Sequence, residues 1–441
     1  MVNWKSIDEL FDFEKGTLQS SKCTSGKYTF VTAAEDWKTH ESYTHDCEAL
    51  IFAMAASGSL GRTHYIKGKF IASDLCFILT TKRGLQLDLT FYYRLFNFLR
   101  SDIVKRTATG TSKLAINQTN FGAYKLPYFN YDHQLIFRDK MEKINDISEN
   151  FSLGLDNQLA LLKQLRQAVL QEAIEGKLTA EWRSQNPELI SGENHASKLL
   201  GKIKAEKERL IKEGKIKKNK LLPPVTIAEK PFPLPAGWVW CRLPDILDFG
   251  NSLRRGPFGS SITKSMFVTK AKHLTKVYEQ KNAIYKDCTL GSYFINLDEH
   301  PDLKGFLAGP GDILISCAGT IGETYLLPKH APIGIINQAL LKIRLNHNTI
   351  DNLFFMIVFN VQTKSHINDA AKGTAMKNIS SVDYLKHELL FPLPPLAEQQ
   401  AIVERVEELI AVMDELEKQV NERKEHSQML MQSVLKEAFE I

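Results

Sequence analysis

The sequence has few cysteines, no long hydrophobic run and no recognisable leader. Its six cysteines stand singly, without a CxxC pair, which argues against a zinc site or a disulfide framework and is typical of a reducing compartment. No stretch approaches the roughly 18 to 20 apolar residues that a membrane span needs. The start, MVNWKSIDELFDFEKG, is charged and amphipathic, unlike a signal peptide. We therefore expect a cytoplasmic protein that does not enter a membrane.

The common catalytic and cofactor motifs are also missing. In the string from His40 to His45, HESYTH, the two histidines are five positions apart and would lie on different faces of a helix, so they would not share a metal ion. There is no GxxxxGK[ST] phosphate loop, no GxSxG elbow and no NPPY-like or DPPY-like tetrapeptide. GPGDILIS, at 309–316, is typical of a turn entering a buried strand. We expect no metal or cofactor in this chain, and a binding protein rather than an enzyme.

The chain is long enough to form more than one domain. At 441 residues the chain exceeds the usual size of a single core. With 43% hydrophobic and 24% charged residues it has the composition of a globular protein. The net charge of +5 permits a nucleic-acid partner without demanding one.

The chain also repeats itself. Four segments recur in the same order, between 236 and 265 positions later. Residues 4–13, 57–66, 110–121 and 165–176 resemble residues 240–249, 318–327, 373–384 and 430–441. Four echoes in register indicate that a module of about 180 residues is duplicated.

Each copy of the module has a mixed part followed by a helical part. Short β-rich runs between Gly, Asn and Ser turns predict mixed α/β domains at residues 1–132 and 236–395. Apolar spacings of three and four predict long helices at 133–183 and 396–441. The predicted fold class is therefore α+β, with two domains in tandem.

The apolar stripes on the two helices are too long and one-sided for an ordinary core helix. We expect the helices to pair with each other as an antiparallel coiled coil about a pseudo-two-fold axis. The predicted pairing positions are Ile144, Ile147, Phe151, Leu155, Leu159, Leu162 and Val169 on the first helix, and Ile402, Val406, Leu409, Met413, Leu416 and Val420 on the second.

The segment between the modules, residues 184–235, has two parts. Residues 198–220, KLLGKIKAEKERLIKEGKIKKNK, are strongly basic, and the proline-rich LLPPVTIAEKPFPLP follows. This pattern predicts a short helix and then an extended connector. The lysines could contact DNA phosphates. A solvated basic helix is the simpler interpretation.

Several strings resemble the DNA specificity subunits of type I restriction-modification systems. They are RRGPFGSSITK (254–264), FLAGPGDILISCAGTIGETYLLP (306–328), LRQAVLQEAIEGKLTAEWR (165–183) and GTAMKNISSVDYLKHELLFPLPPLAEQQAIVERVEELI (373–410). The run PLPPLAEQQAI, at 392–402, is the most specific of them. The middle copy reads LPYFNYDHQLIF and keeps only Gln134 and the apolar pattern.

The resemblance implies two target-recognition domains, each reading half of a bipartite sequence in double-stranded DNA, held apart by the paired helices. It implies a non-catalytic subunit that binds two copies of a methyltransferase subunit. Those subunits would carry S-adenosylmethionine and methylate adenines. The assembly could also recruit two restriction/translocase subunits, which would use ATP and Mg.

Base reading requires side chains with hydrogen-bonding groups on loops that enter a groove of the duplex. In the second domain we predict DNA contacts from Arg254, Arg255, Ser260, Ser261, Lys264, Thr320, Lys372, Lys377 and Asn378. By repeat correspondence the first domain offers Ser59, Arg62, His64, Lys113 and Asn117. For each of these the alternative is a turn residue or a solvated surface charge.

Two other functions remain open at this point. One is an interaction scaffold, in which the helices pair and the domains bind protein rather than DNA; the basic loops argue modestly against it. The other is an enzyme, such as a methyltransferase or nuclease, with unrecognisable motifs.

Overall fold

The structure is a computed structural model that describes residues 3–56, 58–110, 114–216, 222–258, 261–268, 273–369 and 381–438. The chain divides into two compact units. Unit 1 comprises Met1–Gln158 and Lys418–Ile441, and unit 2 comprises Leu159–Glu417. Each unit therefore contains one mixed domain and part of each long helix.

Unit 1 is built on a six-stranded sheet. The described strands of the whole unit, of which six form this sheet, are β1 (Asn3–Ser6), β2 (Phe11–Lys15), β3 (Tyr28–Val31), β4 (Lys38–His40), β5 (His45–Ala53), β6 (Thr63–Ala72), β7 (Cys76–Thr81), β8 (Ala108–Thr109), β9 (Ala115–Ile116) and β10 (Lys125–Tyr128). Its helices are α1 (Ile7–Leu10), α2 (Leu89–Phe98), α3 (Arg100–Thr107), α4 (Gln118–Ala123) and the first part of α5 (Tyr131–Ile174). The sheet order is β2-β7-β5-β6-β3-β4, and only β3 and β6 run parallel in it. An aromatic core that includes Phe11, Phe52, Tyr92 and Phe121 packs α2 against the sheet.

Unit 2 carries two smaller sheets. Its strands are β11 (Val239–Arg242), β12 (Leu253–Arg255), β13 (Thr275–Tyr278), β14 (Phe294–Ile295), β15 (Leu307–Ala308), β16 (Ile313–Ser316), β17 (Thr324–Leu326), β18 (Gly334–Ile336), β19 (Leu340–Ile343) and β20 (Leu390–Leu393). Its helices are α6 (Ala180–Gln185), α7 (Ala196–Lys212), α8 (Leu243–Ile246), α9 (Gln280–Ile284), α10 (Asn352–Asp369), α11 (Val382–His387) and the first part of α12 (Leu396–Ala438). The sheet orders are β12-β19-β16-β17 and β14-β13-β18-β15.

The sheets of the two units share one topology, which confirms the predicted tandem repeat. The order β2-β7-β5-β6 recurs, with the same antiparallel pairings, as β12-β19-β16-β17. The parallel pair of β3 and β6 recurs as β13 and β18. In unit 2 the counterparts of β5 and β6 are each interrupted, the first by the turn at 309–312 and the second by a segment containing Pro328 and Pro332. Proline cannot donate a ladder hydrogen bond, so the single sheet becomes two.

The repeat is also visible in one turn. Gly58 and Gly61 have φ of 80° and 77°, and their counterparts Gly319 and Gly322 have 56° and 87°. Glycine adopts such values without steric cost, which explains why the sequence echo at 57–66 and 318–327 keeps both glycines.

A buried glutamine joins each long helix to its domain. The Gln134 Oε1 accepts from the Asp88 N–H at 2.8 Å, and the Gln399 Oε1 accepts from the Asp351 N–H at 2.7 Å. The amide Nε2 of Gln134 donates to the Phe129 carbonyl at 2.7 Å, and that of Gln399 donates to the Pro394 carbonyl at 3.0 Å. Both side chains are fully buried. We call this arrangement the glutamine clamp.

The glutamine clamp reaches a second helix in each unit. Asp88 caps α2 by accepting from the Thr90 and Phe91 N–H groups, and Asp351 caps α10 by accepting from the Leu353 and Phe354 N–H groups. Each glutamine therefore ties the first turn of a long helix to the first turn of a domain helix.

Two of the strings that resemble the specificity subunits, 165–183 and 373–410, meet at Glu398. This buried carboxylate accepts hydrogen bonds from the Thr179 hydroxyl at 2.7 Å and the Trp238 indole N–H at 2.8 Å, and it also pairs with Arg183. Its counterpart in the first copy is His133, whose ring contacts Asn130 instead. The middle copy therefore differs from the motif at a position whose side chain has different hydrogen-bond partners in the two copies.

The long helices pair antiparallel inside each unit, as predicted. In unit 1 the Lys424 ammonium lies 2.7 Å from Asp156, and in unit 2 Arg166 pairs with Asp414 and Glu417. The helices are 44 and 43 residues long, or about 65 Å at ~1.5 Å per residue. The predicted spacer at 133–183 contains α5, a turn with Gly176 at a φ of 72°, and then the short α6.

The predicted pairing positions differ in burial. Leu155, Val169, Ile402, Val406, Met413 and Val420 are buried, and Ile144, Leu159, Leu162 and Leu409 are half-buried. Ile147, Phe151 and Leu416 stay 69%, 47% and 42% exposed. The stripe therefore provides more apolar surface than the pairing covers.

Part of that exposed surface forms a groove in unit 1, which we call the apolar groove. It has a volume of about 510 Å³. Its apolar lining residues are Ile144, Ile147, Phe151, Leu430, Met431 and Val434. Leu430 is 65% exposed. The helix pairing therefore leaves these apolar side chains accessible to another molecule.

Some chemistry is missing from the described part of the chain. None of its helices is long and apolar enough to cross a bilayer. Within the same residues, no group of three or more His, Cys, Asp or Glu is arranged to hold a metal ion. All six cysteines carry free thiols.

The glutamine clamp predicts a matched pair of stability effects. Replacing Gln399 by Ala leaves the partly buried Asp351 N–H and two carbonyls without their partner, and an unpaired buried group costs about 1–3 kcal/mol. We expect unit 2 to unfold at a clearly lower temperature in calorimetry. The neighbouring Gln400 is exposed, so Gln400→Ala should change stability by less than about 0.5 kcal/mol. Equal melting temperatures for the two variants would contradict the clamp.

Candidate nucleic-acid interface

A row of cations crosses one sheet of unit 2. Arg254 on β12 lies opposite Lys342 on β19 in the antiparallel register, and Arg344 follows two residues later on the same face. Arg254 is exposed, and its guanidinium carbon lies 4.7 Å from the centre of the Phe306 ring. A guanidinium over an aromatic face is held by the ring quadrupole while its N–H edges stay free. Arg254 is therefore positioned to reach a ligand.

The other two cations in the row are occupied within the protein. The Lys342 ammonium is buried and donates to the Leu307 carbonyl at 2.7 Å, and its burial lowers the pKa of this lysine. Arg344 donates two hydrogen bonds, at 2.6 and 2.7 Å, to the fully buried carboxylate of Asp312. These bonds raise the pKa of Arg344, so the side chain remains charged. The Asp312 carboxylate thus interacts with Lys342 and Arg344, and Asp248 is a second acidic group near Arg344, whereas the exposed Arg254 has no carboxylate partner among the described residues.

Arg255 points to the opposite face of β12. Its guanidinium carbon lies 5.4 Å from the Phe258 ring centre, and its Nε and Nη1 atoms are shielded from solvent. Burial raises the pKa of the nearby Cys317 thiol to about 11, although the charge of Arg255 acts against this rise. Of the two predicted arginines, Arg254 is the more accessible.

The remaining predicted contacts of the second domain lie in loops. Ser261 and Lys264 are exposed, and Lys264 begins a short 3₁₀ helix. Thr320 is exposed at the tip of the turn with Gly319 and Gly322, and its carbonyl accepts from the Ser316 hydroxyl at 2.5 Å. Ser260, Lys372, Lys377 and Asn378 lie outside the described residues. The predicted DNA contacts of this domain stay predictions.

In the first domain the predicted residues cluster around the equivalent turn. Arg62 is half-buried, with its Nη2 3.7 Å from the Glu35 carboxylate. The half-buried Ser59 lies within the turn, which Arg100 stabilises by donating to the Leu60 and Gly58 carbonyls at 2.8 and 2.9 Å. A surface ion pair such as that of Arg62 is weak, so its guanidinium can exchange Glu35 for another anion.

His64 is held inside this cluster rather than presented to solvent. Its Nδ1 accepts from the Trp37 indole N–H at 3.3 Å, and the two rings pack edge to face. Burial lowers the pKa of His64, so the ring is neutral near pH 7. Trp37 itself is 41% exposed and offers an apolar face beside His64.

Asn117 has a clear local role as a helix cap, and in the second domain Ser381, one position beyond the aligned counterpart of Asn117, caps the equivalent helix. The side-chain oxygen of Asn117 accepts from the Asn120 N–H at 2.8 Å and caps α4, while Ser381 caps α11 in the same way through the Tyr384 N–H. Lys113 lies outside the described residues.

Sequence reasoning missed several residues of these surfaces. Phe306, Lys342, Arg344 and Asp312 in the second domain, and Trp37 and Arg100 in the first, were not among the predicted contacts. The sequence did contain a pattern that indicates two of them, Lys342 and Arg344. In the run LLKIRL the basic residues alternate with apolar ones, as expected for a strand with one polar face.

The fold and these surfaces define a protein with two similar but non-identical binding domains on long paired helices. The family model of the type I restriction modification DNA specificity domain matches residues 1–153 and 269–425. The chain belongs to this family.

Individual relatives are similar over different lengths. The specificity subunit of the type I restriction enzyme EcoAI of Escherichia coli is 32% identical over 280 residues, which cover 61% of this chain and 43% of that subunit. The EcoDI specificity subunit of Escherichia coli is 27% identical over 447 residues, covering 99% and 88%. The match therefore spans less than half of the EcoAI subunit and most of the EcoDI subunit.

Solved structures share the fold. A chain from a structure described for the complex assembly and conformational transition of the type I R-M system has a TM-score of 0.62 and 15% identity, covering 99% of this chain and 97% of that chain. The HsdS subunit from Thermoanaerobacter tengcongensis has a TM-score of 0.50 and 15% identity, covering 99% and 96%. The predicted architecture of tandem mixed domains with long helices is thereby confirmed.

The buried Asp312 predicts a second stability effect. Asp312→Asn removes the charge that binds Arg344 and also lies near the buried Lys342, so unit 2 should lose about 1–3 kcal/mol, as is usual for a charged hydrogen bond. Thermal unfolding measures this loss. Asp302 is an exposed aspartate of the same unit, and Asp302→Asn should leave the melting temperature unchanged. A similar loss in both variants would mean that Asp312 has no special role.

Proposed function

We propose that this chain is the sequence-specificity subunit of a type I restriction-modification complex. The domain at residues 1–132 reads one half of a bipartite target in double-stranded DNA, and the domain at 236–395 reads the other. The chain itself is not catalytic. It directs the methylation of adenines by other subunits and, in a complete system, restriction as well, and it works in the cytoplasm.

The observation that best supports this proposal is the exposed Arg254, stacked on Phe306 and opposite Lys342 on the neighbouring strand. Arginine in such a setting suits guanine or phosphate, because its planar N–H edge matches pairs of acceptors. The first domain supports the same function with Arg62 and Trp37 beside the equivalent turn. Membership of the specificity family adds to both observations.

Partners supply the chemistry. Two copies of a methyltransferase subunit bring S-adenosylmethionine, and two restriction/translocase subunits, where present, use ATP and Mg. The apolar groove of unit 1 is a candidate contact for the methyltransferase, since it exposes Ile147 and Phe151 on helices that already bind each other. An interaction scaffold without DNA binding is disfavoured by the family match.

A genome-wide map of methylated adenines tests the proposal directly. Cells with and without this gene, each expressing the accompanying methyltransferase, would be compared. Loss of one split motif on removal of the gene is the expected result. Persistence of every methylated motif would show that the chain does not direct that enzyme, and would favour a scaffold.

The same methylation map also tests whether Arg254 reads a base. Arg254→Gln should relax base preference in one half of the split motif and leave the other half intact, because only the second domain is altered. An arginine that reads guanine contributes about 1–3 kcal/mol of discrimination. Arg405→Gln removes an equal charge from the exposed face of α12 and is the matched control, with no expected change. If both halves or neither half responded, Arg254 would not be a base-reading residue.

The apolar groove provides another test. Ile147→Gln should reduce co-purification of the chain with its methyltransferase subunit, because a polar group would then face the partner. Leu153 lies on the same helix, is 61% exposed against 69% for Ile147, and does not line the groove. Leu153→Gln should therefore leave co-purification unchanged. Equal recovery of the partner with both variants would remove the groove from the interface.

A further inference from the structure

The basic linker helix α7 carries much of the net charge of the chain. Residues 196–216 contain seven Lys or Arg and three Glu, while the whole chain has a net charge of only +5. Lys217, Lys218 and Lys220 follow in the sequence and lie outside the described residues. The positive charge is therefore concentrated rather than spread over the surface.

The helix is firmly attached to unit 2 by its apolar side. The Ala196 N–H donates to the Gly237 carbonyl at 3.0 Å, and the His195 ring accepts from the Ser197 N–H at 3.1 Å. Ala196 and Ile203 are buried, and Leu200 packs against the core. This packing fixes the rotation of the helix, so the direction in which its other side faces is also fixed.

Cations line that other side. At 100° per residue, Lys198, Lys202, Arg209 and Lys212 fall within one sector of about 80°, opposite Ile203. From Lys198 to Lys212 the row is about 21 Å long at ~1.5 Å per residue. We call these four residues the α7 row.

The acidic neighbours leave much of this charge available. Arg209 pairs with Glu206 and Glu213 at 2.6 and 3.0 Å, and Lys202 lies 3.3 Å from Glu193. Lys202 and Glu193 are 62% and 75% exposed, and ion pairs this exposed are weak. Lys198 and Lys212 are exposed and make no ion pair with any described residue.

We propose that the α7 row binds the phosphate backbone of the duplex next to the half-site read by the second domain. This inference rests on the proposed function. Phosphates of one strand rise by ~3.4 Å each along the duplex axis and also wind around it, so a straight row of about 21 Å can follow one strand over only a few phosphates. A row of charges along one helix face matches the repeating charges of a phosphate backbone, and phosphate contacts orient a protein on DNA without reading its sequence. The α7 row therefore adds affinity and orientation without adding sequence preference.

The experiment measures how the affinity of the full chain for a random-sequence duplex depends on salt. Each phosphate contact contributes about 0.9 to the slope of log K against log salt. Lys198→Gln, Lys202→Gln and Lys212→Gln together should reduce that slope by about two to three. The same three positions changed to Arg should keep it. The methylated motif should be identical in all variants.

A second triple variant controls for net charge. Lys140, Lys143 and Lys163 are exposed on α5, and changing all three to Gln removes the same charge without touching α7. An equal fall of the slope in both Gln variants, or no fall in either, would overturn the role of the α7 row while the unaltered chain still bound DNA. An unchanged slope with loss of the methyltransferase subunit would instead assign the row to a protein contact. Failure of the unaltered chain to bind any duplex would overturn the proposed function, and this inference with it.

Discussion

The structure of each unit depends on satisfying a few backbone groups where a long helix leaves its domain. At that junction the Asp88 N–H is buried and the Asp351 N–H is partly buried, and an unpaired N–H that is shielded from water is costly. A glutamine amide can accept from one such group and donate to a carbonyl at once, which no apolar residue can do. This explains why Gln134 survives in the middle copy where most of the motif has changed. One side chain thus joins the domain helix, the long helix and the residue that follows the last strand of the domain.

The sequence predicted those features that are encoded locally. Glycine pairs marked the turn at 319–322 because its φ values suit glycine, and apolar spacings of three and four marked the long helices. The position of Lys342 was not predicted, because a lysine inside an apolar run gives no sign of the Leu307 carbonyl that it binds, 35 residues away. Likewise, nothing near Arg254 in sequence announces Phe306. Strand pairing over such separations is decided by the whole core, not by local pattern.

The second domain shows how a duplicated fold acquires a different surface. Two interruptions, at 309–312 and around Pro328, divide its sheet, while the first domain keeps β5 and β6 continuous. The cation row forms beside the first interruption, where Asp312 both closes the turn through the Gly309 N–H and binds Arg344. The first domain instead places Glu35 next to Arg62 and Trp37 next to His64. The same strand order therefore presents different chemistry in each copy.

The pairing of first and last strands has a consequence for how such a protein can change over generations. β1 pairs with β10, and β11 pairs with β20, so the chain enters and leaves each domain at adjacent points. For a loop whose ends are tied, doubling the enclosed length costs only about 0.6 kcal/mol. Insertions and deletions inside a domain are thus tolerated without shifting the register of the helices. Binding preference can diversify rapidly on a scaffold that stays constant.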